Sequence, residues 1–366
     1  MRHPDFHVSY IFDVYLITLK PGIDMSKHLG SVERLYSRCT RQGQTFRGII
    51  QKYNFSGIQA YAAHFNDTDI SQLEVHDDIE AIEPDQIAGP ASLVTQSEAS
   101  YALDQISHRA PRFTGQYVYD NSAGFEMYAY VVDSGIYRNH IEFEGRVSFG
   151  HNAVPKVDPE DRTGHGTHVA GIIGSRTYGV AKKCNLIAVK VLHRGETQNT
   201  LLLNGIIWAA TDILNKRRQP RAVINVSITG GYSRLINKIT DRAFERGITI
   251  AQTRSPGSAD GAITVAATDW TRERCSWSNW GININLFAPG SRIRSTTIGN
   301  VRMVEERTGT SQASAYVAGL VIYFKRQHRL PNARSTMTYI MGTATHGVIK
   351  SNKASANLIA YNGSGR

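Results

Sequence analysis

Three residues of this chain sit in settings suited to nucleophilic catalysis. They are Asp133 in Val131-Val132-Asp133-Ser134-Gly135, His165 in Gly164-His165-Gly166-Thr167-His168-Val169-Ala170-Gly171, and Ser311 in Gly309-Thr310-Ser311-Gln312-Ala313-Ser314-Ala315-Tyr316-Val317-Ala318-Gly319. A hydroxyl is a poor nucleophile at neutral pH. It needs an imidazole to take its proton and a carboxylate to fix that imidazole's tautomer and balance its transient charge. Asp133, His165 and Ser311 offer those three groups.

Such groups work only when rigid elements aim them. Downstream of residue 109, apolar strands alternate with helical stretches: Tyr128 to Val132, His168 to Gly174, Leu186 to Leu192, Leu201 to Lys216, Ala222 to Ser227, Leu235 to Arg246, Ile248 to Ala251 and Ala262 to Ala266. This order predicts an α/β fold, a parallel sheet flanked by helices, with ligands gathered at the carboxyl ends of the strands. Asp133 falls at one such end. His165 and Ser311 each open a helical segment, where free amides and the helix dipole favour negative charge.

Residues 10 to 85 read as a small α+β unit: a strand ending at Lys20-Pro21-Gly22, a helix from about His28 to Arg41, a strand from Phe46 to Tyr53, a helical stretch from Asp67 to His76 and a strand from Ile79 to Pro84. Between Asp85 and Arg109 the periodicity loosens around Gly89-Pro90-Ala91-Ser92. The expected division is therefore a small domain over 1–94 and a catalytic domain over 95–366.

The chain has 366 residues, 41% of them apolar and 32 of them glycine, enough for a large core plus a smaller unit. No apolar run approaches the roughly 20 residues that span a bilayer, so no membrane partner is expected. Asp13 interrupts the apolar stretch Tyr10 to Ile17, which reads as a strand, and no signal peptide is visible. Cys39, Cys184 and Cys275 are too few and too scattered for a zinc cluster. The net charge of +10 is uneven: 8 basic against 12 acidic residues up to Val94 give −4, and the remainder carries +14. Two readings stay open, solvated surface charge or an acidic N-terminal unit that docks on a basic partner domain. With no long basic run and no interleaved aromatics, no nucleic-acid partner is expected.

In the order Asp, His, Ser, the three motifs resemble the subtilisin-like serine proteases. The stretches 174–183, 139–146 and 357–362 are similar to the fungal proteinase K branch, and the resemblance covers residues 95 to 366 almost continuously. The segment from Leu19 to Asp85 resembles the propeptide of these enzymes, which assists folding and inhibits until it is cleaved. The resemblance implies that Asp133 orients the imidazole, His165 is general base and then acid, and Ser311 is the nucleophile. It makes His168 structural. Asn225 to Tyr232 resembles the segment that lines the primary specificity pocket and pairs with substrate as an added strand, which implies Ser227, Ile228, Thr229 and Gly230 as substrate-binding residues. It also implies a secreted, extracellular monomer whose partners are polypeptide substrates and its own propeptide.

The chain departs from that pattern in several places. The family's oxyanion asparagine, in an Ala-Ala-Gly-Asn turn, has no counterpart where Gly247-Ile248-Thr249-Ile250-Ala251 runs through Gln252-Thr253-Arg254 into Ser255-Pro256-Gly257-Ser258. Loss of that donor costs on the order of 10²–10³ in turnover, a magnitude established on subtilisin itself. The Ser311 amide could still donate, and Gln252 and Arg254 are candidate substitutes. Thr229 stands where the family has glycine, and Gln312, Ala315 and Tyr316 replace its usual Met, Pro and His, with packing effects expected. Asn285 replaces an aspartate of a calcium site, so no metal ligands are assigned and calcium is the one cofactor left open, at a weakened site. Of four Asn-X-Ser/Thr sites, at Asn54, Asn66, Asn225 and Asn362, the one at Asn225 reads as a chance match.

The expected function is a serine endopeptidase made as a zymogen, acting through an acyl-enzyme. Two alternatives stay open: a pseudoprotease that binds peptide without turnover, and an incorrectly assembled coding sequence across Ala251 to Ser255.

Overall fold

Asp24 starts the first helix by accepting hydrogen bonds from the amides of Ser26 (2.9 Å) and Lys27 (3.2 Å), satisfying donors that a helix start leaves free. That helix, α1 (Met25–Cys39), buries Leu29 and Val32, three residues apart on one face. It packs on strands β1 (Ser9–Leu19), β2 (Ile49–Phe55), β3 (Ile58–His64) and β4 (Ile79–Ile87), an antiparallel sheet in the order β2-β3-β1-β4. Its core joins Ile17, Leu19, Leu29, Val32, Tyr61 and Phe65. The sequence pattern missed β3, which follows β2 across the two-residue turn Ser56-Gly57, both at positive φ.

The computed structural model describes residues 9–39, 48–65, 70, 72–87, 93–228, 230–253 and 259–366. Two compact units, 1–90 and 91–366, make up the chain. Expectations that fall on Thr40, Arg41, Phe46, Asn66 to Asp69, Ser71, Gly89 to Ser92, Thr229 and Arg254 to Ser258 lie outside the described residues.

The second unit opens with β5 (Leu93–Gln96), α2 (Tyr101–Ser107) and β6 (Tyr117–Asp120), then β7 (Tyr128–Asp133) and β8 (Val147–Asn152). Next come α3 (His165–Gly174), β9 (Asn185–Lys190), α4 (Asn199–Asn215), β10 (Ala222–Val226), α5 (Arg234–Glu245), β11 (Thr249–Gln252) and β12 (Ile263–Thr268). The unit closes with β13 (Leu286–Pro289), β14 (Ile293–Thr296), β15 (Val304–Arg307), α6 (Thr310–His328), α7 (Ala333–Thr343), β16 (Thr345–His346) and β17 (Leu358–Ile359). The stretch 85–109, where the pattern looked loose, thus holds β5 and α2. Both are short, so their periodicity is hard to read; the Ser100 hydroxyl caps α2, and β5 pairs with β6 from Leu93↔Asp120 onward.

The main sheet runs β16-β17-β13-β12-β11-β10-β7-β9-β8, parallel except for the β16–β17 pair. On one face, Leu202, Ile206 and Ile213 of α4 and Ile236 of α5 pack on Tyr130, Val132, Ile224, Val226 and Ile250. Full burial of each such aliphatic side chain contributes roughly 1.5–3 kcal/mol. The other face carries α3 and α6, which pack on each other. Nearly the whole circumference of α6 is buried, as an apolar helix inside a large domain must be. From β7 the chain steps first toward β9 and β8 and later toward β10, so the strand order reverses between β7 and β10. Crevices at the carboxyl ends of strands beside such a reversal are where ligands bind. Among the described residues no helix is long and apolar enough to cross a membrane.

Candidate functional site

Asp133 ends β7 fully buried, and His165 begins α3 with its side chain 25% exposed. The His165 Nδ1 lies 2.8 Å from Asp133 Oδ1 and 3.0 Å from Oδ2. Two glycines permit that approach. Gly135 holds φ at +102°, and a side chain on Gly166 would strike the Gly135 carbonyl oxygen at 2.2 Å. Burial opposes the charged imidazolium, but the Asp133 carboxylate, through its charge and its hydrogen bond, outweighs it and leaves the His165 pKa above its ordinary value.

Two buried residues that the sequence reading overlooked hold this pair in place. Asp161 accepts from Ser134 Oγ (2.8 Å), from the amides of Thr163 and Gly164 (both 2.9 Å), and from the Thr167 amide (3.0 Å) and hydroxyl (2.6 Å). It thereby caps the start of α3 and ties it to the end of β7. Lys190 donates to the carbonyls of Ser134 (2.6 Å) and Glu160 (3.1 Å). An aspartate four residues before His165 and ahead of a glycine was the available signal for Asp161. Nothing local marked Lys190, which comes from a different strand.

Ser311 lies in the first turn of α6, whose N-cap, Gly309, offers no side chain to cap it; the Gln312 amide bonds to the Gly309 carbonyl at 3.2 Å. The Ser311 hydroxyl donates to the Ser227 carbonyl oxygen at 2.8 Å. Below it, Asn225 Nδ2 donates to Ser227 Oγ (2.8 Å), which also lies 2.9 Å from Ser314 Oγ and donates to the Ser311 carbonyl (3.1 Å). This network bonds the end of β10 to the head of α6. Asn225 and Asn362 are fully buried with their amides hydrogen-bonded, so neither glycosylation motif presents an accessible acceptor. Ile228 is 7% exposed, Gly230 is exposed, and Thr229 lies outside the described residues.

Of the candidate oxyanion donors, Gln252 turns the wrong way. It pairs in register with Val226, whose side chain packs in the α4 and α5 layer, whereas neighbouring Ala251 pairs with Asn225, which reaches α6. Alternation along a strand therefore sends Gln252 to the face opposite Ser311. Its Nε2 and Oε1 are both buried without hydrogen-bond partners among the described residues. Arg254 lies outside the described residues.

Behind the site, fully buried His168 bonds to the carbonyls of Ile293 (3.0 Å) and Glu305 (3.3 Å), and burial, then the charge of Arg307, lowers its pKa to about 4. It is neutral at physiological pH and holds α3 to β14 and β15. Gln312 lies 3.4 Å from the other His168 nitrogen, and Tyr316 is buried in α6. The Asn285 side-chain oxygen accepts the Thr264 amide at 2.7 Å, which commits it to the β12–β13 junction. A group able to chelate a metal ion does occur, but in the first unit: His28, His76 and Asp78. Two nitrogens and one carboxylate are a poor donor set for calcium, which takes six to eight oxygens. Cys184 and Cys275 are buried free thiols. A cavity of about 620 Å³ in the second unit, lined by Tyr101, Phe113, Trp270, Arg272 and Glu306, includes none of Asp133, His165 and Ser311.

Comparison with known proteins places these features in context. Residues 129–361 match the model of the Subtilase family, and residues 14–89 match that of Peptidase inhibitor I9. The chain is 39% identical to Alkaline protease 1 of Aspergillus clavatus over 99% of this chain and 94% of that protein. It is 39% identical to Alkaline protease 1 of Aspergillus oryzae over 95% and 91%, respectively. Among solved structures, that of a cold-adapted subtilisin-like serine proteinase superposes with a TM-score of 0.67 at 30% identity, covering 73% of this chain and 99% of the other.

Proposed function

The chain belongs to the subtilase family, with an inhibitor-type N-terminal region, and from that premise we propose that it is a serine endopeptidase zymogen in which Asp133, His165 and Ser311 form the catalytic triad. The observation that carries the reading is the 2.8 Å pairing of His165 Nδ1 with buried Asp133 at the carboxyl end of β7. It fixes the tautomer that leaves Nε2 free to take a proton.

In the proposed reaction the Ser311 hydroxyl leaves the Ser227 carbonyl, gives its proton to His165 Nε2 and attacks the peptide carbonyl carbon. The Ser311 amide, in the first turn of α6, donates to the oxygen that becomes negative. His165 passes the proton to the departing amine, and an ester to Ser311 remains. Water, deprotonated by His165, cleaves the ester and restores the enzyme. Ser227, Ile228, Thr229 and Gly230 are the proposed edge along which substrate backbone pairs. The proposed division is an inhibitory unit over 1–94 and a peptidase domain over 95–366, separated by a cut between residues 89 and 97. Membership of the proteinase K branch, secretion and a monomeric state complete the proposal.

The test is intact mass over time for the full chain beside Ser311→Ala. Cleavage between residues 89 and 97 in the parent alone is the expected result. Equal cleavage in both chains would remove Ser311 from the reaction. Gln252, buried on the face opposite Ser311 and without a hydrogen-bond partner among the described residues, favours a second reading, a peptide-binding pseudoprotease; it predicts a folded parent chain that binds peptide and cuts neither itself nor an added substrate.

A further inference from the structure

We propose that His28, His76 and Asp78 in the N-terminal unit form a binding site for a divalent transition metal of the zinc class. His28 lies in the first turn of α1 and is 2% exposed. His76 and Asp78 occupy the turn that feeds β4, which is pinned by Ile79 N to the His76 carbonyl (3.1 Å) and Lys20 N to the Asp78 carbonyl (2.9 Å). The fold thus brings two segments 50 residues apart to one point. One donor atom from each side chain lies within 4.8 Å of the other two.

The spacing fits a small tetrahedral ion. Asp78 Oδ2 is 3.0 Å from His28 Nδ1 and 3.8 Å from His76 Nδ1. Metal bonds of about 2.0–2.1 Å at tetrahedral angles place neighbouring donors about 3.3 Å apart, between those two distances. Imidazole nitrogens with one carboxylate suit zinc, copper or nickel. The side chains of His76 and Asp78 are 35% and 32% exposed, so water can reach the fourth position.

The surroundings also orient the ligands. His28 Nε2 lies 3.1 Å from the hydroxyl of Tyr61, a fully buried residue. His28 Nδ1 now shares its proton with Asp78; an ion on Nδ1 would displace that proton and leave Nε2–H to donate to the Tyr61 hydroxyl, as the partners behind metal-bound histidines accept. His76 Nδ1 accepts the Asp78 amide at 3.3 Å, a long hydrogen bond that a bound ion would have to replace. A bound ion would clip α1 to the entry of β4 and stabilise the folded unit by mass action. The inference stands apart from the chemistry of Ser311.

The test uses the full-length, untagged Ser311→Ala chain, which keeps the N-terminal unit attached if the parent cleaves itself. Metal-free protein is titrated with Co(II), followed by visible absorption, and the cobalt is then displaced with Zn(II). The expected result is one equivalent with four-coordinate cobalt bands and a zinc-dependent rise in unfolding temperature. His76→Ala and Asp78→Asn, which remove direct ligands on partly exposed side chains, should each weaken binding by more than the roughly 10–100-fold that loss of an outer-shell partner costs and remove that rise, while melting without metal stays close to the parent's. If neither metal binds, or both variants bind as the parent does, the site is not there.

Discussion

Two adjacent ends of the central sheet handle their polar groups in opposite ways. Where β10 meets α6, Asn225, Ser227, Ser311 and Ser314 satisfy one another in a network that is buried except at Ser311, which is half-buried. One strand over, at the end of β11, Gln252 is buried with neither amide atom hydrogen-bonded among the described residues. A satisfied network holds a group in one orientation, whereas an unpaired buried amide costs about 1–3 kcal/mol and positions nothing. The first end has the order a nucleophile needs, and the second, where the family places its oxyanion asparagine, does not.

The comparison can be broken most directly at its ordered end. Asp133→Asn should lower kcat by about 10⁴ by favouring the wrong imidazole tautomer, a magnitude set by serine proteases of another fold. The proposed base His165 can act only when neutral and its pKa is raised, so on that proposal kcat/KM of the parent should fall as pH drops through a value above about 6.5. In Asp133→Asn the raising charge is gone, so the remaining activity should hold to lower pH. A pH profile of both chains on a peptide substrate checks this, and an unmoved acid limb would separate His165 from the chemistry.

The disordering of roles at the other end is open to repair. Lengthening the connection after Thr253 to carry an Ala-Gly-Asn turn should raise kcat by roughly 10²–10³, the range known from subtilisin. No gain in a folded insertion variant would mean that another donor already serves the oxyanion. The smallest effect should come from Gln252→Leu, which replaces the unpaired amide within an apolar layer. In the Ser311→Ala background, denaturant unfolding should show a gain of about 1–3 kcal/mol, and with Ser311 intact kcat should not change. A fall in kcat of tenfold or more would make Gln252 a donor and reverse the contrast between the two ends.

Much of the candidate site was legible because its parts are local. Asp133, His165 and Ser311 sit in short motifs whose glycines and small residues report a strand end or a helix start, and Gly166 is needed where α3 approaches the Gly135 carbonyl. The strands and helices from β7 to β12 were legible because apolar periodicity is strong in buried elements. Short elements such as α2 and β5, and β3 behind its two-residue turn, were not, since a few residues leave too little period to read.

Residue order alone carries the apolar periodicity that forms the elements, the α/β alternation, and the chemical identity of the carboxylate, imidazole and hydroxyl. Which groups meet was decided by tertiary structure. Asp161 and Lys190 come to the end of β7 from other segments, and His28 meets His76 and Asp78 across 50 residues. Gln252 had seemed a candidate donor from its place in the chain, but strand register turned it to the opposite face. Register and helix packing act between distant segments, so no local pattern encodes them, and a shift of one residue along a strand exchanges a catalytic face for a core one.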